Sequence, residues 1–114
     1  MTSRRIAQLG LVAAAGAQSV TLTPSPLPPP NPVAGTPVTF TAAVTDPPSG
    51  SFEYEFRGRP LGSAGPFALA QAYSPTAVWT WTGVAGSWQI QVNARSAGSV
   101  SPAEATRTIT YVVQ

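Results

Sequence analysis

The segment Thr76–Arg95 has the sequence TAVWTWTGVAGSWQIQVNAR, and its pattern is the strongest indication of the fold. Apolar and polar side chains alternate on both sides of a Gly-bounded turn, through Trp79 and Trp81 before it and from Trp88 onward after it. A period of two residues around a short turn is typical of a half-buried antiparallel hairpin. The stretch also holds all three tryptophans of the chain. We therefore predict a hairpin that clamps two sheets, with the tryptophans inside.

The same alternation predicts five further strands, at residues 18–23, 37–45, 51–57, 67–73 and 104–113. In the third strand, Phe52, Tyr54 and Phe56 share the core face, and Pro- or Gly-containing turns separate the strands. The chain has 114 residues, 43% of them hydrophobic and 9% charged, which favours one folded domain. Seven short strands without a helix after residue 17 predict an all-β, immunoglobulin-like antiparallel sandwich.

Residues 1–17 have the pattern of a secretory signal peptide, which we expect to form a short leader helix. Arg4 and Arg5 precede a short apolar run, and small residues follow at Ala15–Ala17, which predicts cleavage before Gln18. The apolar run is too short for a stable transmembrane helix. We therefore expect a mature domain of residues 18–114 without a membrane span. Its expected location is outside the cell or on its surface, with the periplasm as the alternative.

A Pro-rich connection at residues 24–37 follows the first strand. Consecutive prolines favour polyproline II and cannot donate to a sheet ladder. We interpret the segment as a stiff connection that lets the first strand change sheets without leaving an unpaired edge. The alternative, a PxxP ligand for an aromatic groove, lacks a flanking arginine.

The composition argues against catalysis, metal binding and nucleic-acid binding. The chain has no Cys, His or Lys, so it has no disulfide, no thiolate ligand and no conventional base for a serine nucleophile. Its net charge of +2 comes from Arg4 and Arg5, because the remaining four arginines balance four acids. Asp46 with Glu104 makes a poor calcium site. We predict no catalytic residue, no cofactor, no metal and no nucleic-acid partner.

Two acidic side chains deserve comparison with a glycosidase pair. Glu53 and Glu55 are two apart on one strand, so their carboxylates are about 7 Å apart, which would suit an inverting pair on distance alone. However, both lie on a flat exposed face with arginines nearby, an environment that favours two ionised carboxylates over one proton donor and one base. A non-enzymatic protein is therefore expected.

The outward faces of the third and sixth strands form the predicted contact surface. Its candidate residues are Glu53, Glu55, Arg57, Gln89, Gln91, Asn93 and Arg95. The seventh strand and the loops 58–66 and 97–101 complete this surface. The expected partner is another protein or a cell-wall or extracellular polysaccharide.

Two other functions remain open. Trp79 and Trp81 share a face and would form a carbohydrate platform if that face were exposed. Burial of one such side chain contributes about 2–3 kcal/mol, which favours the core for both. The second alternative is a subunit that polymerises by adding a strand at an open edge; its sign would be concentration-dependent oligomers.

Several segments resemble bacterial extracellular immunoglobulin-like domains, of the polycystic-kidney-disease, fibronectin-III and triple-tyrosine types. They are PVTFTA (37–42), FEYEF (52–56), AYS (72–74), WTW (79–81), GSWQIQVNAR (86–95), SAGS (96–99) and ITYVV (109–113). The resemblance implies an accessory, adhesive or spacer module exported from a bacterium, with the third and sixth strands as neighbours. It also puts Trp88 at the tyrosine-corner position, where the usual hydroxyl bonds to a nearby loop. Trp88 offers an indole N–H instead.

Overall fold

The computed structural model describes residues 19–45, 51–100 and 102–114. The predicted signal peptide and the turn around Asp46 lie outside these ranges. The described residues form seven strands: β1 (Ser19–Ser25), β2 (Pro37–Thr45), β3 (Phe52–Pro60), β4 (Ala68–Ser74), β5 (Val78–Thr82), β6 (Gly86–Ser96) and β7 (Ala105–Val113). No helix of bilayer-spanning length and hydrophobicity occurs within these ranges.

The strands form two antiparallel sheets that pack face to face like a β-sandwich. One sheet has the order β1-β2-β5 and the other the order β4-β3-β6-β7. For the residues that the structure describes, the prediction of an all-β fold with seven strands in two antiparallel sheets is therefore confirmed. The predicted adjacency of the third and sixth strands is also confirmed, because β3 and β6 pair along their length from Phe52↔Ser96 to Pro60↔Trp88.

The predicted hairpin within Thr76–Arg95 is wrong, although both of its strands exist. β5 pairs with β2, whereas β6 pairs with β3 and β7, so the turn at residues 83–85 crosses from one sheet to the other. Alternation reports which face of a strand is apolar, but not which strand lies beside it. Each of these two strands buries its tryptophan face against the opposite sheet, and the interpretation of the stretch as a clamp between two sheets agrees with this arrangement.

Phe40 of β2 lies at the centre of the core and is fully buried. Its ring stacks on Trp79 with centroids 5.5 Å apart and meets the edge of Tyr111, on the other sheet, at 5.4 Å. The remaining buried apolar residues come from both sheets: Val20, Leu22, Val38, Ala42, Phe56, Ile90, Val92, Ala94 and Val113. Trp79, Trp81 and Trp88 pack against this cluster but are only half-buried.

The Pro-rich connection reaches the second sheet, but β1 does not change sheets as predicted. Within the described ranges β1 pairs only with β2. The Tyr111 hydroxyl donates to the carbonyl oxygen of Pro26 at 2.7 Å. The backbone N–H of Gln114 donates to the carbonyl oxygen of Pro32 at 2.8 Å. Because proline lacks an N–H but keeps its carbonyl, the connection accepts hydrogen bonds from the end of β7.

Candidate functional site

All seven residues of the predicted contact surface lie together on the outer face of β3 and β6. The register places Glu53 opposite Arg95, Glu55 opposite Asn93 and Arg57 opposite Gln91. Gln89 lies two pairs further along the ladder, on the same face, opposite Arg59. We call this surface, including the adjoining side chains of β4 and β7 described below, the polar face.

The Glu55 carboxylate accepts hydrogen bonds from two other side chains of the polar face. It accepts two hydrogen bonds from the Arg57 guanidinium, from Nε at 2.8 Å and from Nη2 at 3.0 Å, and a third from Asn93 Nδ2 at 2.9 Å. Asn93 Oδ1 in turn accepts the Thr106 hydroxyl of β7 at 2.7 Å. Glu55 and Asn93 are each only 9% exposed, so these two residues hold the surface in place and contribute little area to a partner.

The Arg57 guanidinium lowers the pKa of Glu55 through its hydrogen bonds to the carboxylate. Partial burial acts in the opposite direction, and the Asn93 amide adds to the lowering. The net direction is downward from the ordinary value of 4.5, so the ionised carboxylate is favoured in the folded protein.

Acid is therefore expected to weaken the fold through Glu55. A carboxyl group with a lower pKa in the folded state contributes stability that is present above its unfolded pKa and is lost as the pH falls through the folded pKa. The free energy of unfolding should decline below about pH 4.5, measured by urea denaturation at a series of pH values. Glu55→Gln should cost about 1–2 kcal/mol at neutral pH and should flatten this acid limb; an unchanged slope in the variant would contradict the assignment.

Two arginines lie over aromatic rings and extend the polar face to Tyr73 of β4 and to Phe67, which directly precedes β4. The guanidinium carbon of Arg95 is 3.8 Å from the Tyr73 ring centroid, and that of Arg59 is 4.1 Å from the Phe67 centroid. Arg95 Nε also donates to Glu53 at 2.9 Å and forms an ion pair between β6 and β3. These two contacts were not predicted from the sequence. The available signal was the alternation of Phe67 and Tyr73 with alanines along the fourth predicted strand.

The predicted loop at residues 58–66 begins too early, because β3 continues to Pro60. Gly58 weakens a strand taken alone, but its pairing with Ile90 continues the ladder. The loop after β6 fits the prediction better: Gly98 has a φ of 82°, a conformation that glycine adopts without strain. There the Glu104 carboxylate accepts the backbone N–H of Ser96 at 2.9 Å.

An aromatic cleft of about 220 Å³ opens between the edge strands β4 and β5. It is lined by Gly58, Ala68, Leu69, Ala70, Trp79, Trp81, Trp88 and Ile90. The centroids of Trp79 and Trp81 are 6.2 Å apart with ring planes inclined by 40°, so the two rings do not form one flat surface. The cleft exists because small residues of β3 and β4 face the tryptophans.

Trp88 lines the cleft and is hydrogen-bonded to the loop that precedes its own strand. Its indole Nε1 donates to the carbonyl oxygen of Val84 at 3.0 Å, in the loop that precedes β6. Its ring meets Trp81 edge-on, with planes at 75°.

Comparison of the chain with family models, with curated proteins and with solved structures finds no match. Function is therefore argued from the polar face and the cleft themselves.

Proposed function

We propose that this protein is an exported, non-enzymatic interaction module of immunoglobulin-like type, with a structural or adhesive role at a bacterial cell surface. The observation that supports this most directly is the polar face, on which charged, amide and aromatic side chains are held in fixed positions by one another. The signal-peptide pattern at residues 1–17 supports export. A partner would be a protein or a polysaccharide outside the cell.

The strand order supports the immunoglobulin-like type. In that architecture strands A, B and E share one sheet, strands C, F and G share the other, and some members add a strand C′ beside C. Here β1, β2 and β5 share one sheet, β3, β6 and β7 share the other, and β4 lies beside β3. The bond of Trp88 to the preceding loop adds to this support.

The polar face has the features of a recognition surface. Arginine and tyrosine are enriched among the residues that dominate binding energies, and Arg95 lies directly on Tyr73. The network around Glu55 fixes several side chains before any partner arrives. Pre-organisation reduces the conformational entropy lost on binding, which otherwise amounts to about 0.5–1.5 kcal/mol for each immobilised side chain.

A carbohydrate platform on Trp79 and Trp81 has less support. Both rings pack against Phe40, at centroid distances of 5.5 Å and 5.9 Å. Among the described residues that line the cleft, the indoles supply the only side-chain hydrogen-bonding groups, and that of Trp88 is already bonded to Val84. Sugar hydroxyls buried there would lose hydrogen bonds to water without replacement.

A binding array of extracellular-matrix proteins and bacterial polysaccharides, probed with the full chain, tests the proposal. Gln91→Lys places a new charge at the centre of the polar face and should weaken binding to any captured partner at least about tenfold. Thr23→Lys is the matched control, because it adds the same charge to an exposed strand position of the opposite sheet. Its binding should stay within about twofold of the unmodified chain.

Two results would overturn the assignment. If both variants bind the captured partner equally well, the polar face is not the contact surface. If the partner is a glycan that quenches tryptophan fluorescence, and Gln91→Lys leaves this unchanged, the aromatic cleft is the binding site.

A further inference from the structure

Among the described residues, each sheet ends in two edge strands, and β5 differs from the other three. β7 carries Arg107 on its core-facing side, since Arg107 lies opposite Val92, and an inward-pointing charge discourages strand addition. The ladder of β4 with β3 is broken by register shifts near Phe56. β1 contains Pro24, which has no N–H to offer.

β5 has none of these protective features. Its sequence, VWTWT, contains no charge, proline or glycine, and consists of residues that favour strands. Its pairing with β2 runs from Pro37↔Thr82 to Thr41↔Val78 without a register shift. An uncharged, regular edge of this composition is a template for pairing with another strand.

The direction of the backbone groups of β5 follows from its ladder with β2. The N–H of Ala42 donates to Ala77, its direct partner, at 2.8 Å. Hydrogen-bonded and non-hydrogen-bonded pairs alternate in an antiparallel ladder, so Trp79 and Trp81 bond to β2. The N–H and C=O groups of Val78, Thr80 and Thr82 therefore point away from β2, toward the open edge. The Gln71 amide reaches the Val78 oxygen only at 3.4 Å.

We propose that a second copy of this chain pairs its β5 with this edge, antiparallel, about a two-fold axis at Thr80. In this register Thr80 lies opposite the partner's Thr80, and Val78 lies opposite the partner's Thr82. By symmetry, Thr82 lies opposite the partner's Val78. The backbone groups of all three pairs face the edge, and each pair forms two N–H···O bonds, six in total. The five-residue strand complements itself because its centre, Thr80, is one of the outward-bonding residues.

The side chains are compatible with this pairing. On the inner face, Trp79 lies opposite the partner's Trp81, and such aromatic cross-strand pairs are favourable. The half-buried Trp79 and Trp81 and the 54%-exposed Leu69 at the mouth of the cleft lie on the side that the second copy covers. An isologous pair uses the edge of both copies and stops at a dimer, in contrast to the polymer considered from the sequence. The contact does not involve the polar face, so either proposal can fail without the other.

Sedimentation velocity of the full chain from about 1 µM to about 1 mM tests this pairing. The unmodified chain should change from monomer to dimer within this range, because a small interface binds weakly. Thr80→Lys and Thr80→Glu should each raise the dimer dissociation constant at least about tenfold, since like charges then face each other across the axis. An equimolar mixture of the two variants should recover a dimer, because opposite charges then face each other.

Thr23→Lys and Thr23→Glu, on the exposed face of β1, provide the matched control and should leave the dissociation constant within about twofold. Circular dichroism verifies that each variant is folded. A chain that stays monomeric up to about 1 mM overturns the proposal. The proposal is also overturned if both Thr80 variants leave the dimer dissociation constant unchanged. A mixture of the two variants that associates no more tightly than either variant alone overturns it as well.

Discussion

Phe40→Ala is expected to lower the free energy of unfolding by about 3–5 kcal/mol, the largest effect of any single truncation proposed for this protein. Phe40 is fully buried, and its ring contacts Trp79 and Trp81 as well as Tyr111 of the opposite sheet. The variant loses the transfer free energy of the ring and leaves a cavity between the sheets. A loss of this size is a large part of the 5–15 kcal/mol that stabilises a typical domain.

Urea denaturation followed by tryptophan fluorescence measures this loss, and Phe67→Ala is its matched control. Phe67 is also a phenylalanine next to a strand, but it lies outside the sandwich beneath Arg59. Loss of this cation–π contact should cost only about 0.5–1 kcal/mol. If the two variants lose similar free energies, Phe40 is not at the centre of the core.

Trp88→Ala should have the second-largest effect, about 2–3 kcal/mol, because the half-buried ring loses less than a fully buried tryptophan would. Two graded variants separate the packing of Trp88 from its hydrogen bond. Trp88→Phe keeps an aromatic ring near Trp81 but removes the donor to Val84, at a cost of about 0.5–1.5 kcal/mol. Trp88→Tyr returns a donor and should be more stable than Trp88→Phe.

Thermal and urea unfolding of these three variants provide the comparison. Equal stabilities of Trp88→Phe and Trp88→Tyr would mean that the bond to Val84 contributes nothing, and that Trp88 acts by packing alone. If Trp88→Ala leaves the free energy of unfolding almost unchanged, the packing of Trp88, near the start of β6, does not stabilise the fold.

The position and facing of most strands could be predicted from local patterns. In β3, Phe52, Tyr54 and Phe56 alternate with Glu53 and Glu55, and this period directly specifies an inner and an outer face. The polar face was predictable for the same reason, together with the adjacency of β3 and β6 that the family resemblance implied. The cation–π contacts of Arg59 and Arg95 were not predictable, since they depend on how β4 lies against β3.

Strand partners and the cleft depended on the tertiary structure. Local alternation was enough to predict seven strands, the apolar side of most of them and the inward direction of Trp79, Trp81 and Trp88. The separation of β5 from β6 and the position of Ala68 and Ala70 opposite the tryptophans depend on how the two sheets pack. The same packing leaves β5 at the edge of its sheet among the described residues. The physical reason is that alternation is a property of neighbours along the chain, whereas pairing and cavities arise between residues far apart in it.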